Sequence, residues 1–237
     1  MIETLHLIPV SIGNQPLDFW LPEKTITIAS NIKTYIAENA KTARCFLQSI
    51  KVKHAINEVE IHTLNEKTNI TEIKKWLLNS KEKNMGLVSE AGCPAIADPG
   101  AIVVRTAHVM GISVRPWVGP SSIILSLMAS GLNGQNFVFR GYPPKQPHER
   151  KTKITLWEKE SIFNNQTQIM IETPYRNIHL YNDLINNLKK NTHLCIASLV
   201  NSQEELIKTR TIKEWKGLDA PNIDKKPTIF LYCGNYT

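Results

Sequence analysis

The chain has 237 residues, with 28 Lys and Arg against 21 Asp and Glu, a net charge of +7 and 42% hydrophobic residues. That length makes one large domain or two modest ones, needs no disulfide staples, and carries too much apolar content for a disordered polymer. The positive surplus permits an anionic partner, nucleic acid first, without demanding one.

Cys45, Cys93, Cys195 and Cys233 lie far apart, without C-x-x-C or zinc-ligand spacing. They read as reduced thiols of a cytoplasmic protein, with no metal site. The longest weakly polar run, Ser121 to Leu132, falls well short of the about 20 residues that a membrane span needs. The amino-terminal stretch carries Glu3, His6 and Asn14 and lacks a basic region followed by an apolar block, so neither a signal peptide nor a membrane partner is expected.

In chain order, Leu5–Ile8 predicts a strand stopped by Pro9, and Leu21–Ile32 a helix. Thr34–Ala37 reads as a second strand. Ala43, Phe46, Leu47 and Ile50 then fall on one helix face. Val59–Ile61 is a strand, and Asn69 with Glu72 has capping-box spacing for the next helix. Met85–Ser89 is a buried strand leading into a long loop, Glu90–Gly100, where Asp98 and Pro99 predict an N-cap and first turn. A strand at Ser113–Val118 is broken by Gly119-Pro120 before an apolar helix, Ile123–Ser130. Further strands are expected at Phe137–Phe139, Gln168–Ile171, Leu194–Leu199 and Thr228–Tyr232, and helices at Glu149–Lys159 and Arg176–Lys190. Leu206–Ile212 alternates with period two, as an antiparallel ribbon does. The pattern is α/β, with a domain junction near Trp117–Pro120 that gives domains of residues 1–117 and 118–237.

In an open α/β sheet, ligands sit beyond the carboxyl ends of strands. Four loops occupy such places: Pro9–Asn14, Glu38–Lys41, Glu90–Gly100 and Gly119–Ser122. Glu90–Gly100 is the richest, because its small residues let a ligand approach the backbone. Glu90 and Asp98 are either acceptors for a ligand's donors or simply a turn residue and a helix cap. No G-x-G-x-x-G follows a strand, and there is no P-loop, nucleophile elbow or H-E-x-x-H. The residues alone thus reach a two-part α/β protein with a ligand cleft.

Leu87-Val88-Ser89-Glu90-Ala91-Gly92-Cys93-Pro94-Ala95-Ile96-Ala97-Asp98-Pro99-Gly100 strongly resembles the L-V-S-D-A-G-T-P-x-I-S-D-P-G signature of the tetrapyrrole methylase superfamily, in its bacterial small-subunit rRNA cytidine 2′-O-methyltransferase branch. Ile8–Asn14 resembles that branch's V-P-T-P-I-G-N opening, and Glu38–Arg44 its E-D-T-R segment. Val118–Ser122, Ala129–Leu132, Phe139–Lys145 and Glu172–Arg176 resemble P-G-P-S-A, A-S-G-L, F-x-G-F-L-P-x-K and E-S-P-H-R.

The resemblance implies two α/β domains of the tetrapyrrole methylase type with S-adenosyl-L-methionine in the cleft between them, and a homodimer. By position it assigns to the cofactor Pro9, Ile12, Gly92, Cys93, Ile96, Ser121 and Ser122, and, in the second domain, Thr173, Ala197 and Pro227. It also implies RNA of the small ribosomal subunit as the methyl acceptor. A ribose hydroxyl is a poor nucleophile, so a carboxylate should help remove its proton. Glu38 is the first candidate and Glu90 the second, with Lys41 and Arg44 placed to orient a phosphate; Glu38 could instead be a charge favoured at a helix N-terminus. The basic segment Lys145, His148, Arg150, Lys151 and Lys153 could track an RNA backbone or form a solvated helix face.

The chain departs from the branch at Asn39 and Ala40, where Asp and Thr are expected, at His62–Lys67, where H-E-H-N-E is expected, and at Ser198–Asn201, where E-L-T-K is expected. These departures fall on the acceptor side. A tetrapyrrole or other small-molecule methylase, and a non-catalytic S-adenosylmethionine-binding protein, therefore stand as alternatives.

Overall fold

The structure, a computed structural model, describes residues 1–235, which form two compact units, Met1–Ser121 and a second from Ser122 onward. In the first unit, five strands lie in the order β3-β2-β4-β1-β5, every pairing parallel. They are β1 (Thr4–Leu7), β2 (Thr34–Ala37), β3 (Glu60–Thr63), β4 (Asn84–Leu87) and β5 (Ser113–Pro116). All four residues of β2 are buried, as the middle of a parallel sheet covered on both faces demands. Gly86 in β4 is obligatory, because a Cβ there would overlap the ring of Tyr35. That ring crosses the sheet so that its hydroxyl donates to the Ala29 carbonyl at 2.6 Å.

The helices of this unit are α1 (Leu17–Trp20), α2 (Glu23–Ser30), α3 (Ala40–Ser49), α4 (Ile70–Asn79) and α5 (Ala101–Val109). Ala43 and Leu47 turn the apolar face of α3 into the core. Asn69 caps α4 by accepting from the Glu72 amide at 3.0 Å. The Asp98-Pro99 expectation needs correction: α5 starts three residues after Asp98, with Gly100 as its N-cap, and the Asp98 side chain serves the preceding loop. The short helix α1 was not visible as a periodic segment.

From β1 the chain crosses beyond β4 to β2, whereas from β4 it crosses beyond β1 to β5. The connections leaving these two neighbouring strands therefore run in opposite directions, which makes the β1–β4 junction a topological switch point, the place where such sheets hold ligands.

The second unit orders its strands β6-β7-β10-β8-β9, with β6 (Phe137–Phe139) parallel to β7 (Thr167–Ile171) and the other pairings antiparallel. The strand β8 (His193–Ser198) turns back into β9 (Leu206–Thr211), the antiparallel ribbon that the alternation predicts, and β10 (Thr228–Cys233) is buried throughout. Around them pack α6 (Ser122–Ser130), α7 (Pro147–Asn164), α8 (Asn177–Asn187) and α9 (Ile212–Lys216). The predicted helix from Arg176 begins as a single 3-10 turn at Pro174–Arg176, and α8 ends at Asn187. Leu180, Leu184, Trp215 and Phe230 centre the core. Of the described residues, no helix is long and apolar enough to cross a membrane.

Candidate active site

Three loops of the first unit meet at the switch point. The Val10 amide donates to the Gly92 carbonyl at 3.0 Å, closing an isolated bridge between the β1 and β4 loops. Gly92 has φ +71, and a Cβ there would lie 3.2 Å from Ile12 Cγ2 and 3.2 Å from the Pro120 carbonyl. The position therefore requires glycine twice over, for conformation and for space. Cys93 Sγ approaches the Pro120 carbonyl at 3.3 Å, and a Cβ on Gly119 would overlap the Pro9 ring. Pro9, Ile12, Gly92, Cys93 and the Gly119–Pro120 turn are thus brought together. They form a cradle of closely approaching backbone. Burial pushes the Cys93 thiol up, which keeps it protonated and suits it to packing rather than nucleophilic attack.

The rest of the β4–α5 loop is strained and internally clamped. Ala95 and Ala97 adopt left-handed conformations, φ 68 and 60, which cost about 1–2 kcal/mol each for residues bearing a Cβ. Both oxygens of the Asp98 carboxylate lie 2.9 Å from the Ala95 amide, and Oδ1 accepts from the Gly100 amide at 2.7 Å. Charge-assisted bonds of this kind offset the strain. Burial raises the Asp98 pKa, and these amides work against the rise. The clamp leaves Ile96 with 52% of its surface exposed, an apolar side chain held out from the loop.

Beside this loop stands the β2–α3 corner. Glu38 follows β2 and is half-buried. Burial raises its pKa first, the negative charge of Asp98 and then that of Glu90 add to the rise, and a hydrogen bond from the Glu90 backbone amide opposes it. The reading of Glu38 as a mere charge at the helix start is thus incomplete, since it belongs to a cluster of three carboxylates. The cap of α3 is Asn39, whose side chain accepts from the Lys41 amide at 2.9 Å. Asn caps a helix as well as Asp does, so this departure from E-D-T-R preserves the helix start. Thr42 Oγ1 donates to Glu90 Oε1 at 2.6 Å, which fixes the carboxylate from a position 48 residues away. Sequence inspection missed Thr42, because nothing local marks it. Lys41 and Arg44 are exposed on the first turns of α3.

Against the same corner lies a pocket of about 260 Å³. Val10, Trp20 and Phe46 give it apolar walls, and Thr42, Cys45, Ser49 and Glu90 give it polar groups. Trp20 Nε1 is buried and lacks a hydrogen-bond partner. Trp117, next to the Gly119 turn, donates its Nε1–H to His6 Nδ1 at 3.1 Å and closes the end of β5 onto β1.

In the second unit, Thr173 follows β7, Ala197 lies in β8, and Pro227 precedes β10. Because β10 runs antiparallel to both neighbours, these positions share one end of the sheet: Ile229 pairs with Ile171 and with Ala197. The Leu199 amide donates to the Pro227 carbonyl at 2.9 Å. Ala197 has no exposed surface, whereas Thr173 and Pro227 are exposed. Glu172 and Arg176, two members of the E-S-P-H-R-like segment, form a buried carboxylate–guanidinium bond of 2.6 Å that closes the turn holding Thr173. Ser122 opens α6. Ser121 ends the first unit.

The basic segment needs a correction at Arg150. Its side chain is buried, pairs with Asp183 and donates to the carbonyls of Pro144 and Lys145 at 3.1 and 2.9 Å. Lys145, His148, Lys151 and Lys153 remain exposed.

No protein-family model matches the chain. A solved cobalt precorrin-4 methyltransferase superposes with a TM-score of 0.62, at 13% identity, covering 98% of this chain and 95% of that one. The chain therefore has the tetrapyrrole methylase fold. In sequence it is 29% identical over 217 residues to the ribosomal RNA small subunit methyltransferase I of Buchnera aphidicola, covering 90% of this chain and 73% of that protein. It is 32% identical over 181 residues to the protein of the same name from Xylella fastidiosa, covering 76% and 62%. Within the methylase fold, the chain is similar in sequence to proteins named ribosomal RNA small subunit methyltransferase I.

Proposed function

We propose that this chain is an S-adenosyl-L-methionine-dependent methyltransferase acting on a ribose 2′-hydroxyl of small-subunit rRNA, and that it works as a homodimer in the cytoplasm. The observation that carries the proposal is the switch-point cradle. Homology to rRNA methyltransferases extends over most of the chain, and the loops that carry the motif resemblance build a glycine-lined backbone cradle beside a carboxylate cluster.

The glycine-requiring cradle of the first unit supports this reading of the cofactor site. Pro9, Ile12, Gly92, Cys93, Ile96 and Ser121 of the first unit, with Ser122, Thr173, Ala197 and Pro227 of the second, are the positions proposed to hold it. Ala197 would act through its backbone, since its side chain is buried. Bound S-adenosylmethionine supplies a methyl group on a positively charged sulfur, open to in-line displacement. The remaining work belongs to the protein. Alignment alone supplies an effective molarity of about 10⁵ M or more. Glu38, with its raised pKa, or Glu90, held by Thr42, takes the proton that the hydroxyl loses. Lys41 and Arg44 steady the neighbouring phosphates. A carboxylate moved toward neutrality by its surroundings is a better base than an ordinary exposed one.

The test is to supply methyl-labelled cofactor with assembled small subunits, bare rRNA or a metabolite extract. Label in RNA, recovered as a ribose-methylated nucleoside, supports the proposal. Label in a small molecule favours a small-molecule methylase, and cofactor binding without transfer favours a non-catalytic binding protein.

A further inference from the structure

We propose that the pocket between α1 and α3 receives the extruded base of the acceptor nucleotide, a subsite distinct from the cofactor cradle. The inference rests on the RNA-methyltransferase reading above and adds to it a place and a chemistry for the base.

Size is the first argument. At about 260 Å³ the pocket falls below the about 300–1,000 Å³ typical of sites for whole drug-sized ligands, so it suits one ring system. Its walls suit a ring, because Trp20 and Phe46 offer aromatic surface and bases stack on such surface whatever their identity. Its polar groups suit a base edge. The Glu90 carboxylate only accepts hydrogen bonds, and the exposed Cys45 thiol is a weak donor. A heteroaromatic ring with an amino group and a ring acceptor carries both complements.

Position is the second argument. Glu90 belongs to both the pocket and the carboxylate cluster, so a ribose attached to a base in the pocket lies at the proposed proton acceptor. Lys41 and Arg44 are exposed on the same helix that lines the pocket, which suits the flanking phosphates. None of Ile12, Gly92, Cys93 and Pro120, the residues of the cradle, lines the pocket. A nucleotide must leave its stack before its sugar and base can enter such a site, as in enzymes that act on extruded bases.

Cys45 provides the test, because its exposed thiol lines the pocket while Cys195 and Cys233 are buried and report any global unfolding. The rate of Cys45 alkylation is measured by mass spectrometry on the full chain, free, with S-adenosylhomocysteine, and with S-adenosylhomocysteine plus small subunits or rRNA. Protection of about tenfold or more by RNA, with none from S-adenosylhomocysteine alone, is expected from a stacked base. In parallel, Ser49→Trp fills the pocket and should lower methyl transfer to RNA about tenfold or more while cofactor affinity holds. Cys45 reactivity unchanged under bound and methylated RNA overturns the subsite and leaves the RNA-methyltransferase reading standing. Protection by S-adenosylhomocysteine alone also overturns it, since the pocket would then belong to the cofactor. RNA that is neither bound nor methylated overturns both.

Discussion

The loop Ser89–Gly100 and the corner Glu38–Arg44 leave neighbouring strands of one sheet, yet they are built by different means. The loop is made of backbone: left-handed alanines clamped by Asp98, a bridge from Val10 to Gly92, and glycines where a Cβ would not fit. The corner is made of side chains: Glu38 beside two further carboxylates, Thr42 holding Glu90, and two exposed cations. A cradle of the first kind recognises a shape and tolerates little change in any atom that builds it. A constellation of the second kind moves protons and charge, and its shape survives isosteric replacement. Substitutions in the two regions should therefore fail in different ways.

The largest effect is expected at the corner. Glu38→Gln or Glu90→Gln, according to which residue takes the proton, should lower turnover by about 10²–10⁴ with cofactor affinity kept. Collapse of cofactor affinity in Glu38→Gln would move Glu38 into the other region. Next come the glycines of the cradle. Gly119→Ala drives a methyl into the Pro9 ring and should cost about 1–3 kcal/mol, read as a lower Tm together with weaker cofactor binding. Asp98→Asn gives up part of the amide clamp and should cost about 1–3 kcal/mol, again with cofactor affinity falling in step. Smaller still, Lys41→Gln or Arg44→Gln should leave cofactor binding unchanged and reduce the salt dependence of RNA affinity by about one phosphate contact each.

The smallest effect concerns pH. Glu38 has its pKa raised by burial first and by neighbouring charge second, so in the folded protein it holds its proton above the ordinary 4.5. The folded state then binds more protons than the unfolded one, and this contribution to stability is full below 4.5 and lost as pH rises through the raised value. Turnover runs the other way, since the base acts once its proton is gone. Asp98→Asn removes one of the negative charges behind the shift and should move the acid limb of kcat to lower pH.

Much of the fold was legible because parallel strands announce themselves as short apolar runs, as Thr34–Ala37 and Asn84–Leu87 do, and helices by their period, as Ala43–Ile50 does. The ribbon Leu206–Thr211 was legible from alternation alone. Asp98 was misread because Asp-Pro before an apolar run is an N-cap signal, whereas here the carboxylate turns back to Ala95. Within the site, the loops of small residues could be picked out, since glycine and proline mark places where backbone must come close. The Thr42–Glu90 bond and the Trp20 pocket could not, because they join α1, α3 and the β4 loop across gaps in sequence that no local pattern spans. Arg150 reads in sequence as one more surface cation, because its partner Asp183 comes beside it only in the fold.

The most direct measurement is transfer of labelled methyl to small-subunit RNA by the wild type and by Glu38→Gln and Glu90→Gln, with cofactor affinity measured on the same samples. The expected result is a ribose-methylated nucleoside from the wild type, its yield falling by about 10²–10⁴ in at least one variant while cofactor affinity is unchanged. Equal transfer by all three proteins, or label confined to a small molecule, would contradict the account.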